Sequence, residues 1–185
     1  MNEKASAAMR QFLAAMGLDL AAEGMERTPE RVTEMFEWLF GGCGKTADAA
    51  WGELFETETR GLTAVQHIPF YSLCEHHLVP FFGEVHIAYL PGDGKIAGFS
   101  KFVRVVDILA RRPQLQERLT REIAEAVSRG LGAEGVLVVV EAQQLCMMMR
   151  SEAAPGTRTL TSEADGCIAD DAGLRREAWE LLRRG

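Results

Sequence analysis

The chain has 185 residues, 47% of them hydrophobic and 25% charged, with a formal net charge of −7. That composition suits one globular domain with a sizeable core and excludes a fibrous or low-complexity chain. The acidic balance speaks against a nucleic-acid partner, which needs a basic face, and no apolar run reaches the ~20 residues of a membrane span. The opening Met1-Asn2-Glu3-Lys4 carries no signal-peptide pattern, so a cytoplasmic protein without a membrane partner is expected. Its four cysteines, at 43, 74, 146 and 167, then read as thiols or metal ligands rather than as a disulfide framework.

In chain order, residues 5–16 are rich in Ala, Met and Leu and predict a helix. A second helix follows, with Thr28 as its N-cap, Pro29 at its first position and Gly41-Gly42 at its end. Val32, Met35, Phe36, Leu39 and Phe40 share one face of it. Residues 43–61 read as irregular and polar. They mark a boundary between an N-terminal helical segment, 1–45, and a main body, 62–185.

The main body opens with β-rich sequence from Ala64 to Tyr71 and a second strand from Glu84 to Leu90, stopped by the turn Pro91-Gly92-Asp93-Gly94. Helices follow over 101–111 and 114–131, separated at Pro113. In the second, Leu115, Leu119, Ile123, Val127 and Leu131 form a core-facing stripe. Val136 to Val140 is a buried strand, Arg158 to Thr161 suits another, and 172–184 ends the chain as a helix. Runs of helices and strands in this order predict an α+β domain with an antiparallel sheet.

Two constellations carry chemistry. In Cys74-Glu75-His76-His77 a thiolate and an imidazole three residues apart can converge on one metal, and Zn²⁺ favours such donors. A catalytic zinc takes three protein ligands and keeps a fourth position open, and Cys146, just beyond the buried strand, could be the third. Taken alone, the same residues also suit buried small apolar groups and a satisfied histidine. His67 and His86 read as structural, because each sits in a strand pattern with no second ligand type nearby in sequence. Cys43 and Cys167 read as ordinary loop residues. The second constellation is basic: Ser100-Lys101, Arg104 and Arg150 stand near element ends, where anions are readily held. Gln116-Glu117 opens a helix and reads equally as surface charge or as a carboxylate and amide facing the N–H edge of a guanine.

The segments Ile68 to Phe81, Gly98-Phe99-Ser100-Lys101 with Arg104, Arg112 to Thr120, and Leu145 to Arg150 together resemble the GTP cyclohydrolase I family, and Thr28-Pro29-Glu30-Arg31 matches it too. The resemblance implies a tunnelling fold, an antiparallel sheet with two long helices, preceded here by N-terminal helices. It also implies a homodecamer with active sites at subunit interfaces. By position, Cys74, His77 and Cys146 would hold Zn²⁺, and His76 would be the catalytic acid and base. Gln116 and Glu117 would recognise guanine. Ser100, Lys101, Arg104 and Arg150 would hold the triphosphate, with Arg31 reaching in from a neighbour. The implied reaction is zinc-assisted addition of water at C8 of GTP, opening to a formamidopyrimidine, loss of formate, and closure to 7,8-dihydroneopterin triphosphate.

One position departs from that pattern. The family carries a histidine two residues before the third zinc ligand, and here Gln144 stands there. An amide can hydrogen-bond but does not transfer protons near neutral pH. Three functions follow as alternatives: a full cyclohydrolase, a divergent relative that stops at a formamidopyrimidine or takes another purine, and a zinc-containing binding subunit. The intact Cys74, His76, His77 and Glu117 count against the last.

Overall fold

The computed structural model describes residues 2–149 and 156–184. The chain divides into two compact units, Met1–Gly41 and Gly42–Gly185. The first is a pair of helices, α1 (Glu3–Ala15) and α2 (Thr28–Leu39). Asn2 caps α1 by accepting from the Ala5 amide. Between the two helices Ser6 Oγ donates to Thr33 Oγ1 at 3.1 Å, and Arg10 pairs with Glu30 at 2.9 Å. The expected cap of α2 shifts by one residue. The Thr28 amide already donates to Met25 O at 2.9 Å, so the turn runs on into the helix and Arg27 stands at the cap without a side-chain bond. The expected apolar face of α2 is only partly covered: Leu39 is buried, whereas Met35 is 50% exposed.

The second unit includes part of the stretch that reads as irregular and polar. Ala47, Ala50 and Trp51, in and beside a 3-10 turn at Asp48–Ala50, are buried in its core, with Trp51 edge-on to Phe102 at 5.2 Å. Two short strands, β1 (Phe55–Glu56) and β4 (Lys95–Ile96), pair antiparallel. The main sheet holds β2 (Thr63–Cys74), β3 (Pro80–Leu90), β5 (Pro113–Gln114), β6 (Gly135–Gln144) and β7 (Thr159–Gly166), in the order β5-β2-β3-β6-β7. It is antiparallel except where Leu73 and Cys74 pair parallel to Pro113 and Gln114. The sequence predicts a helix from residue 114, but Pro113 and Gln114 are drawn into the sheet beside Leu73 and Cys74, and α4 (Gln116–Leu131) starts two residues later.

Helices α3 (Ser100–Ala110) and α4 pack on one face of the sheet. Leu119, Ile123, Val127 and Leu131 are fully buried there, while Leu115 falls at the cap. Val136, Val138 and Val140 of β6 join this core, and Leu137 and Val139 point to a second cluster with Ile168 and Ala178. Those come from α6 (Cys167–Asp170) and α7 (Ala172–Leu182). Burial on both faces explains why β6 reads as an unbroken apolar run rather than an alternating one. A short helix, α5 (Leu145–Met148), follows β6 directly. Gly83 lets β3 and β6 approach closely, since a Cβ there would lie 1.9 Å from Glu141 O.

Candidate active site

The loop from β2 to β3 is built as a single closed turn. Cys74 O accepts from the His77 amide at 3.3 Å and from Leu78 at 2.8 Å, and the Cys74 amide donates to Val79 O at 3.0 Å. Leu78 takes a left-handed φ of 52°, which reverses the chain into β3. The turn folds His77 back over Cys74, leaving Sγ and Nδ1 3.8 Å apart. Arg118 of α4 reaches across to Glu75 at 2.7 Å and ties this turn to the neighbouring helix.

Cys146 arrives from the other side. The register Phe81↔Gln144 sets the end of β6 beside the start of β3, and α5 then carries Cys146 towards Cys74. The donor atoms of Cys74, His77 and Cys146 all lie within 4.8 Å of one another. Burial and the adjacent Cys74 sulfur push the Cys146 thiol above its ordinary range. Two thiols so close resist becoming two thiolates unless a cation joins them.

Cys74 and Cys146 edge a cleft of about 370 Å³ that His76, Gln116, Glu117, Gln144 and Thr159 also line. Gln116 is 4% exposed. Its Nε2 donates to Val140 O and Thr159 O, each at 3.1 Å, and its Oε1 accepts from Gln144 Nε2 at 2.8 Å and from the Thr159 hydroxyl. Both donors and both lone pairs are therefore engaged. Gln116 locks the start of α4 to β6 and β7, and Glu117, next along, is exposed at the cleft.

Ser100, Lys101 and Arg104 stand on the first turns of α3, with Ser100 and Arg104 four residues apart on one face. They do not line this cleft within one chain. Arg31 is exposed on α2 in the first unit. Arg150 lies outside the described residues.

A family profile described as GTP cyclohydrolase I matches residues 5–183. The chain belongs to the GTP cyclohydrolase I family. A protein named GTP cyclohydrolase 1 from Streptococcus sanguinis strain SK36 is 46% identical over 181 residues, covering 98% of each chain. One of the same name from Halalkalibacterium halodurans is 45% identical over 182 residues, covering 98% of this chain and 97% of its own. Among solved structures, the apo form of an archaeosine synthase QueF-Like covers 59% of this chain and 97% of its own at 19% identity, with a TM-score of 0.49. Membership thus rests on the sequence relatives, and this GTP cyclohydrolase I family chain is a hydrolase. Among the described residues no helix is long and apolar enough to cross a membrane.

Sequence reasoning missed two parts of this family member's cleft. Thr159 carries only a strand signal in sequence, yet its hydroxyl meets Gln116 Oε1 and its carbonyl meets Gln116 Nε2. The Glu75–Arg118 pair joins positions 43 apart and leaves no local signal.

Proposed function

We propose that the chain hydrolyses GTP at C8 of the guanine ring, releases that carbon as formate and yields 7,8-dihydroneopterin triphosphate, with zinc held by Cys74, His77 and Cys146. The carrying observation is the convergence of two thiols and an imidazole at the edge of a cleft that also presents Glu117. The donor set fits the ion. Ligands at ~2.3 Å for sulfur and ~2.0 to 2.1 Å for nitrogen around a tetrahedral centre stand about 3.6 Å apart, against 3.8 Å between Cys74 Sγ and His77 Nδ1. When bound, zinc supplies Lewis acidity and activates water for attack near neutral pH.

The remaining chemistry belongs to side chains. His76, beside a ligand and lining the cleft, carries protons to and from the purine nitrogens. Glu117 accepts from N1–H and the 2-amino group of guanine, and adenine would leave it unpaired. The fully bonded Gln116 side chain serves by fixing Glu117 and the first turn of α4. Ser100, Lys101, Arg104 and Arg150 hold the triphosphate, with Arg31 supplied by a neighbouring subunit. The Glu117→Gln variant should lose discrimination between GTP and ATP by about 10 to 100-fold in kcat/KM, the range for one polar group left unpaired against the bound base. A variant that keeps the full preference would show that another residue reads the base.

The proposed assembly is a homo-oligomer of tunnelling-fold subunits, a decamer by family resemblance. Support comes from the edge strand β7 and from large apolar side chains left open in one chain, among them Phe12 at 57%, Met16 at 67% and Leu160 at 59% exposure. Light scattering should give a mass several times 20.4 kDa. A monomer would sink the assembly and with it the role of Arg31.

A second reading is favoured by one observation, the amide of Gln144 at the cleft. It is a cyclohydrolase in which loss of formate lags ring opening, so that a formamidopyrimidine nucleotide builds up.

A further inference from the structure

The two histidines that read as structural in sequence meet a third donor in space. On β3, Glu84 and His86 are two residues apart and so project from the same face. Opposite them β2 is irregular: the pairs Val65↔Ile87 and Ile68↔Val85 leave Gln66 and His67 facing the single residue His86. This bulge puts His67 at a φ of 54°, and its ring turns onto Glu84 and His86. His67 Nδ1 lies 2.7 Å from Glu84 Oε2, and His86 Nε2 lies 3.9 Å from the same oxygen. The two rings are 4.8 Å apart and nearly perpendicular. One donor atom from each of the three residues lies within 4.8 Å of the others.

We propose that His67, Glu84 and His86 form a second metal site, distinct from the thiol cluster, that takes a divalent first-row transition ion. Two imidazoles and one carboxylate are the donors such ions take with positions left for water, and they suit Zn²⁺, Co²⁺, Ni²⁺ or Fe²⁺ better than Mg²⁺ or Ca²⁺. Donors about 2.0 to 2.2 Å from one tetrahedral ion stand about 3.3 to 3.6 Å apart, between the 2.7 and 3.9 Å separations to Glu84 Oε2. Arg158, the nearby cation, is paired with Glu141. An ion here would cross-link the bulge of β2 to β3.

Cobalt titration of the metal-stripped protein tests this, because thiolate ligands give an intense sulfur-to-cobalt charge-transfer band and nitrogen and oxygen ligands give none. Wild type should bind two Co²⁺ per chain, one with the band and one without. Glu84→Gln and His67→Asn should each lose only the ion without the band. Asparagine is used because it tolerates the left-handed backbone at 67. Cys146→Ala should lose only the ion with the band. If wild type binds no ion lacking the band, or if that ion survives both Glu84→Gln and His67→Asn, the site does not exist. Loss of the charge-transfer band from wild type, with the other ion intact, would count against the thiol site alone.

Discussion

Replacing Cys146 with alanine is expected to leave a folded chain that holds no ion between positions 74 and 77 and opens no purine ring. Cys146 is half-buried on a four-residue helix, so losing its sulfur costs on the order of 1 kcal/mol of packing, within what a domain of this size tolerates. Its loss at the site is of a different scale. Two donors then remain where a catalytic zinc needs three. The raised pKa of the Cys146 thiol means that a metal ion must displace a proton there, so binding in wild type should weaken as pH falls. The check is metal content with GTP ring opening and circular dichroism on the same sample. Cys43→Ala, which removes an exposed thiol elsewhere, is the control and should change none of the three. A Cys146→Ala protein that holds no ion at the thiol cluster yet stays fully active would end the zinc reading.

The elements legible in the sequence are those with long periodic patterns. The α4 stripe and the unbroken valines of β6 each announce a buried face, and both are buried. What escaped is short or non-local. Strand β5 is two residues long and exists because Cys74 and Gln114 pair across 40 positions, which no window on the sequence can register. Trp51 joins the core from a stretch whose flanks are polar, so composition pointed to a linker. The same holds for the cleft. Cys74 and His77 are visible because three residues of turn bring them together, and Cys146 because it follows a strand. His67, by contrast, depends on one extra residue in β2. Without the bulge Gln66 would face His86, and the group with Glu84 would not form.

The bond from Gln144 to Gln116 sets the expectation for the last step of turnover. Ring opening asks for activated water and one proton carrier, and His76 lines the cleft to serve as that carrier. Formate loss asks in addition for protonation of a poor nitrogen leaving group. Gln144 is held with its Nε2 donating to Gln116 Oε1 at 2.8 Å, and an amide in that position has no proton to give near neutral pH. Formate release by wild type is therefore expected to lag ring opening, with a formamidopyrimidine nucleotide accumulating between them. In Gln144→His, one ring N–H can keep the bond to Gln116 and so fix the tautomer, which frees the other nitrogen to exchange protons. Formate release should then rise by roughly one to three orders of magnitude, within the ~10² to 10⁴ span of general acid catalysis. Ring opening should change little, because the groups it needs are untouched. Time courses of formate and of the pyrimidine product for both proteins decide the matter. Stoichiometric formate from wild type with no intermediate, and no gain in Gln144→His, would mean that another group protonates the leaving nitrogen and that Gln144 only braces Gln116.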